Sequence, residues 1–219
     1  VSASRLSAYS AVNWANRPGF GRIRLGDQCF YLNGGYTVAR AKRLNRRIGG
    51  SMKPSQNEFD VVVVGAGFSG MYLLHKLRQA GLSARVLEAG KDVGGTWYWN
   101  RYPGARCDVP SIEYSFSFSS ELQQEWQWTE VMAAQPEILD YANHIAERFE
   151  LRNDIEFSTS VTSAHFEEVE QRWHVKTDSG NEYAARFCVM ATGCLSVPNT
   201  PQISGAGDFA GDVYHAGNW

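Results

Sequence analysis

The sequence predicts an α/β fold: a parallel sheet flanked by helices, with a small antiparallel β-meander inserted before the sheet is completed. Three observations predict it. A continuous β-branched run, Phe59-Asp60-Val61-Val62-Val63-Val64, is followed at once by Gly65-Ala66-Gly67-Phe68-Ser69-Gly70 and then by good helix formers. A second stretch, Ala84-Arg85-Val86-Leu87, closes on an acid, Glu88, 18 residues beyond Gly70. Towards the end, β-rich segments on either side of the turn sequence Asp178-Ser179-Gly180-Asn181 lead into Phe187-Cys188-Val189-Met190 and Ala191-Thr192-Gly193. Together they describe a Rossmann-like nucleotide-binding domain.

Composition sets the outer bounds. The chain has 219 residues, 43% of them hydrophobic, enough to fill a core, so disorder is not the default. No apolar run approaches the roughly 18 residues that cross a bilayer, since Val61–Val64 is cut short by Gly65. The four cysteines, Cys29, Cys107, Cys188 and Cys194, form no CxxC pair and no dense framework. That argues against a disulfide scaffold or a zinc site and for a reducing, cytoplasmic setting. No metal, nucleic-acid or membrane partner is expected.

The net charge of −2 is the sum of two unlike parts. Residues 1–51 carry nine Lys or Arg against the single acid Asp27, a local charge of +8; the remaining 12 basic and 22 acidic residues give −10 over 52–219. Such a break marks a boundary, and Met52 opens the acidic part. The first 51 residues hold seven glycines and sustain no period of 3.6 or 2, so no packed fold is written for them. They read as a basic leader or extension upstream of Met52, with a transit peptide or a basic arm for nucleic acid or anionic lipid as alternatives.

From Phe59 each element has its own reason. A continuous β-branched run is what a strand buried on both faces of a parallel sheet requires. In the GxGxxG that follows, Gly65 serves a tight turn, Gly67 the close approach of backbone to a pyrophosphate, and Gly70 the packing of helix on strand. Met71 to Ala80 form a helix with Leu73, Leu74 and Leu77 towards the sheet, stopped by Gly81. Glu88 at the end of the second strand can accept hydrogen bonds from ribose hydroxyls and would repel a 2′-phosphate, so this first site suits FAD or NAD rather than NADP.

Residues 94–108, Gly-Gly-Thr-Trp-Tyr-Trp-Asn-Arg-Tyr-Pro-Gly-Ala-Arg-Cys-Asp, are unusual. Trp97 and Trp99 could share one face of a strand and fill a core, but Asn100, Arg101, Arg106 and Asp108 are too polar for that, and a ligand-lining loop fits better. Further on, Pro136 in a first turn, Glu137 and Asp140 near one end and Arg148 near the other frame a helix with Ile138, Ala142, Ile145 and Phe149 on one stripe. Ile155–Thr162, Ala164–Val169 and Arg172–Thr177 read as strands, with 178–181 as a hairpin turn.

With these residues in view, the chain resembles the type I Baeyer-Villiger monooxygenases, flavoenzymes that convert ketones to esters or lactones. The resemblance rests on the glycine fingerprint, on Gly94-Gly95-x-Trp97-x-x-x-x-Tyr102-Pro103-Gly104-x-x-x-Asp108, and on Phe209-x-Gly211-x-x-x-His215-x-x-x-Trp219. The last is the most specific, because related flavin monooxygenases that oxidise nitrogen or sulfur usually end it in Tyr or Phe. The likeness covers about 59–219 and looks most like the phenylacetone, cyclohexanone and steroid monooxygenase branch.

The resemblance implies a set of roles. The backbone of Gly65, Gly67, Phe68, Ser69 and Gly70 would hold the FAD pyrophosphate and Glu88 the adenosine ribose. Gly95, Thr96, Trp97, Tyr98 and Trp99 would line the flavin, with Asp108 and Tyr114 near the ring system, the Val161 backbone near the adenine, and Ala191, Thr192 and Gly193 closing the site from the returning strand. Arg106, Cys107 and Asp108 would also face NADPH. His215 would serve structure and gating on the connection between two dinucleotide domains. NADPH would reduce the flavin and O₂ would then give a C4a-peroxide that attacks a ketone. A second GxGxxG and the family's catalytic arginine do not occur in these residues, so 52–219 reads as an incomplete FAD-binding domain, with 203–219 beginning the linker to an NADPH domain that is missing, and as inactive alone. The alternatives are part of an N- or S-oxygenating flavin monooxygenase, or a non-catalytic nucleotide-binding module.

Overall fold

The structure is a computed structural model, and it describes residues 21–25, 28–32 and 57–219. Contacts divide the chain into two units, Val1–Gln56 and Asn57–Trp219. In the first, strands β1 (Gly21–Leu25) and β2 (Gln28–Leu32) pair antiparallel, with Leu25 opposite Gln28. The reading of 1–51 as a leader otherwise lies outside the described residues.

The second unit is built on a six-stranded sheet. Its strands are β3 (Glu58–Val64), β4 (Ala84–Leu87), β5 (Ile155–Glu156), β6 (Val161–Glu167), β7 (Arg172–Thr177) and β8 (Glu182–Met190), in the spatial order β5-β4-β3-β8-β7-β6. The first four run parallel, while β7 is antiparallel to both β8 and β6. The expected α/β class holds. The meander, however, is not a separate small sheet: β8 is one nine-residue strand whose first half pairs with β7 and whose length from Ala184 to Met190 pairs with β3. Phe187–Met190 is therefore the end of a longer strand.

The expected strand Ile155–Thr162 is also two elements. After β5 the chain turns at Ser158, whose φ is 53°, and the Ser158 and Thr159 amides donate to the Gly90 and Glu88 carbonyls at 2.8 and 2.9 Å. Ser158 and Thr159 thus bond to the segment after β4, while the Ser160 amide donates to Asp178 Oδ1. The expected strand 164–169 begins at Val161 and ends at Glu167 for the same reason of pairing, since Glu167 is the last residue opposite β7.

Why β3 sits at the centre is plain from its side chains. Val61, Val62 and Val63 are at most 1% exposed. Val62 packs with Leu87, Val175, Tyr183 and Ala185, and alternation turns Val61 and Val63 to the opposite face. Helix α1 (Phe68–Gln79) buries Met71, Leu73, Leu74 and Leu77. It ends in a Schellman motif: the Leu82 amide donates to the Leu77 carbonyl, the Gly81 amide donates to that of Arg78, and Gly81 takes a φ of 70° that glycine adopts without strain.

Three further helices follow: α2 (Thr96–Trp99), α3 (Ser120–Glu125) and α4 (Gln135–Arg148). In α4, Ile138, Tyr141, Ala142 and Ile145 form the buried stripe. Arg78 of α1 reaches the far end of α4, donating to the Phe149 and Glu150 carbonyls and pairing with Asp154. A guanidinium at a helix C-terminus satisfies carbonyls that have no partner within the helix. Among the described residues no helix is long and apolar enough to cross a membrane, and no group of three or more His, Cys, Asp or Glu could hold a metal ion.

Candidate functional site

The site forms where the C-terminal ends of β3, β4 and β8 meet the N-terminus of α1, the end of a parallel sheet at which ligands bind. Its floor leaves no room for side chains. Gly65 has a φ of 104°, and a Cβ there would lie 2.6 Å from the Ala191 carbonyl oxygen; one on Gly70 would lie 1.9 Å from the carbonyl oxygen of Gly65. The Ala191 amide donates to the Val64 carbonyl, so the chain leaving β8 abuts the fingerprint turn. Ala191 is half-buried, while Thr192 and Gly193 are exposed beside it.

Helix α1 starts at this turn with Gly67 as its N-cap, no side-chain cap and no acid in its first turn. Its leading amides and the positive end of its dipole are left for an anion. Ser69 is exposed, whereas Phe68 turns away to meet Tyr114, Phe116 and Tyr141 at centroid distances of 5.5, 5.7 and 6.2 Å. Phe68 can thus contribute only backbone to a ligand.

Glu88 is 4% exposed and already engaged. Its Oε2 accepts the Ala66 amide at 2.5 Å and its Oε1 accepts the Gly90 amide at 2.7 Å. The carboxylate therefore ties the fingerprint turn to the end of β4. Each oxygen keeps a second lone pair, so the geometry leaves acceptors for a ribose while explaining why a buried charge is tolerated.

The second glycine-rich segment lies directly against the first. The Gly94 amide donates to the Ala66 carbonyl, and a Cβ on Gly95 would stand 2.8 Å from the Cα of Gly67. Gly95 thus owes its lack of a side chain to Gly67, whereas a Cβ on Gly67 would meet the Gly95 Cα at an ordinary 3.4 Å. Residues 96–99 form one helical turn rather than a strand. The side chain of Trp97 is buried with Cys107, Ala133 and Ile138, and Tyr114 and Trp128 pack against that cluster. The core-filling reading is the one that fits Trp97; Thr96, Tyr98 and Trp99 are half-buried, and the Tyr98 hydroxyl accepts the Lys91 amide while its ring meets Trp99 edge-on. Desolvation raises the Tyr114 pKa, keeping its phenol protonated.

Residues 105–107 pair with 133–135: the Cys107 amide donates to Ala133 and the Gln135 amide to Ala105, around an Arg106–Ala134 bridge. Cys107 is buried and Asp108 exposed. Arg106 is held by Glu130 and the Met132 carbonyl, so its guanidinium is engaged within the chain. Val161, half-buried at the start of β6, follows the segment that bonds to Glu88. His215 lies apart, in the tail after β8. Its Nδ1 accepts the Gly217 amide, so its Nε2 carries the proton and donates to the Asn199 carbonyl at 3.2 Å.

Two residues that sequence reasoning passed over belong to the site. Gln135, 7% exposed, donates from Nε2 to the Trp97 carbonyl at 2.6 Å. Asn100 donates from Nδ2 to the carbonyls of Thr96 and Leu195. A polar Gln ahead of the helical Pro136 is the only sequence signal of the first; for Asn100 it is a polar side chain amid aromatic residues.

Residues 62–219 match the pyridine nucleotide-disulphide oxidoreductase family. A Baeyer-Villiger monooxygenase of Pseudooceanicola batsensis is 45% identical over 163 residues, 74% of this chain and 30% of that protein. A phenazine N-monooxygenase of Lysobacter antibioticus is 42% identical over 165 residues, 75% of this chain and 30% of its own length. Among solved structures, an oxidized steroid monooxygenase bound to NADP superposes with a TM-score of 0.69 at 57% identity, over 74% of this chain and 31% of that one. The complex of OTEMO with FAD and NADP gives 0.69 at 41% identity, over 75% and 31%. The chain thus spans about 30% of the length of the curated relatives it matches.

Proposed function

The chain belongs to the pyridine nucleotide-disulphide oxidoreductase family, and from that premise we propose that residues 57–219 are the FAD-binding portion of a Baeyer-Villiger monooxygenase that uses NADPH and O₂ to convert ketones to esters or lactones. The observation that carries the proposal is the joint floor of the site: a side-chain-free turn at Gly65 and Gly70 beneath an uncapped helix start, with buried Glu88 beside it. The amides of residues 67–70 would take the pyrophosphate, Glu88 a ribose, and Val161 would lie towards the adenine. Thr96, Tyr98 and Trp99 would meet the isoalloxazine, with Asp108 and Tyr114 near it.

When bound, FAD supplies the redox chemistry that passes reducing equivalents from NADPH to O₂. This chain's own part is binding and enclosure. Buried Trp97 and Cys107, with half-buried Tyr114 packed against them, would make an apolar wall, and water exclusion is what an oxygen-inserting site needs to avoid releasing hydrogen peroxide. Arg106, Cys107 and Asp108 are offered as the side nearest the nicotinamide. Among the described residues, the free cysteines Cys107, Cys188 and Cys194 support a reducing, cytoplasmic setting.

The 42% identity to a phenazine N-monooxygenase favours a second reading, oxygen transfer to a ring nitrogen. Against it stands Trp219 closing the third signature. Titrating FAD, FMN and NADP⁺ into the chain and following flavin fluorescence tests the cofactor: FAD should bind weakly, as an incomplete site would, yet more tightly than FMN or NADP⁺, and equal binding of FMN would sink the dinucleotide reading. Giving the polypeptide that carries this segment NADPH, O₂ and either a ketone panel or phenazine separates the two activities. Esters or lactones support the first and an N-oxide the second.

A further inference from the structure

Helix α2 is a single turn, too short to satisfy its own carbonyls. Side chains do it instead. The Thr96 carbonyl accepts both the Asn100 amide and Asn100 Nδ2, at 2.9 and 3.0 Å. The Trp97 carbonyl accepts Gln135 Nε2 at 2.6 Å, and the Tyr98 carbonyl accepts Arg101 Nε at 2.7 Å. Of these donors only Gln135 is buried and comes from a distant element, the first turn of α4, 38 residues away. Gln135 also holds the other end of the same loop, since its backbone amide donates to Ala105. Asn100 in turn fastens the loop to Leu195, beyond the Ala-Thr-Gly that follows β8.

We propose that Gln135, supported by Asn100, is a positioning residue of the cofactor site. It holds the aromatic turn Thr96–Trp99 by its backbone, so that the rings at 98 and 99 are presented at fixed depth to the ligand. The proposal deepens the FAD reading and rests on it for the identity of the ligand. The physical reason is that a turn of four residues has almost no hydrogen bonds of its own to fix its backbone, and beside the packing of Trp97 on Ile138 a buried amide is an anchor that water does not compete for. Removing the donor leaves the Trp97 carbonyl buried without a partner and frees the turn to shift.

The test compares the wild-type chain with Gln135→Leu, Gln135→Glu and Asn100→Ala. Gln135→Leu should weaken FAD binding about tenfold, the weight of one buried hydrogen bond, and should speed hydrogen exchange across 94–101 while leaving β3 and β8 protected. Gln135→Glu should show FAD affinity that rises as the pH falls, because a protonated carboxyl can donate to the Trp97 carbonyl and a carboxylate cannot; wild type and Gln135→Leu should lack that dependence. Unchanged FAD affinity together with unchanged exchange over 94–101 in Gln135→Leu would overturn the proposal. If wild type binds no FAD, the cofactor reading fails and the exchange comparison still decides the anchor. Should Gln135→Leu fail to fold, Asn100→Ala and the pH profile of Gln135→Glu decide it, an unaltered exchange pattern and a flat profile counting against.

Discussion

Replacing Gly70 by alanine tests the account of the site floor more sharply than any other change. A Cβ at this position would stand 1.9 Å from the Gly65 carbonyl oxygen, whereas ordinary contact begins at 3.4 Å, so a displacement of about 1.5 Å is required. Neither partner can supply it. Gly65 is fixed by its amide's bond to the Leu87 carbonyl at 2.8 Å and by its own packing on Ala191. Helix α1 is fixed by Met71, Leu73, Leu74 and Leu77, none more than 2% exposed. The strain therefore belongs at or above the upper end of overpacking costs, about 3 kcal/mol or more. For a unit of this size that lowers the melting temperature by about 6–12 °C. Thermal unfolding by circular dichroism measures it, with urea unfolding to check that the slope is unchanged. Gly67→Ala is the control: its φ is −74° and the added atom would meet nothing nearer than the Gly95 Cα, at 3.4 Å, so it should melt within about 2 °C of wild type. A Gly70→Ala protein that melts with wild type would refute the geometry on which the pyrophosphate site rests.

Three further outcomes follow from the same structure. Glu88→Gln should cost about 1–3 kcal/mol in urea unfolding, because the new amide nitrogen must face either the Ala66 or the Gly90 N–H and leaves one of them unpaired. His174 is bonded to Glu182 and Glu170, which raise its pKa above the usual histidine value. Its contribution is therefore fully present below about pH 6.5 and lost as pH rises through the folded-state value, so the melting difference between wild type and His174→Gln should shrink towards zero across that rise. Burial pushes the Cys188 thiol up to about 11, and Cys107 is buried as well, while Cys194 is exposed. Brief alkylation at neutral pH followed by peptide mapping should therefore find Cys194 modified ahead of both.

What could be read from the sequence was what is close along the chain. Strand β3, the glycine turn, α1 with its Gly81 stop and Glu88 all lie within about thirty residues, and local rules fix them. What could not be read depends on partners far away. Nothing in Phe157–Ser160 announces that the Ser158 and Thr159 amides will bond to the segment after β4, and strand propensity alone runs Ile155 on to Thr162. Trp97 and Trp99 have the same composition signal, yet one fills the core against Ile138 of α4 and the other stays half-buried outside that cluster. Gln135 anchors a carbonyl 38 residues away, a distance no periodicity reports. The antiparallel pairing of Gly21–Leu25 with Gln28–Leu32 is hidden differently: Arg22-Ile23-Arg24-Leu25 alternates charged and apolar residues, but Cys29-Phe30-Tyr31-Leu32 carries no alternation to match it.

The double pairing of β8 bears on the order in which the domain assembles. Its contacts with β7 close a short loop through Asp178–Asn181, whereas its contacts with β3 join residues such as Asp60 and Arg186, which are 126 apart in sequence. Loop-closure entropy favours the near pairing first. The meander β6-β7-β8 is then a template already extended at Phe187–Met190 when β3 arrives, and the glycine turn acquires its wall at Ala191 only with that last docking. The nucleotide site is in this sense the final joint to close, and a chain stalled before it would hold a formed meander beside an unmade floor.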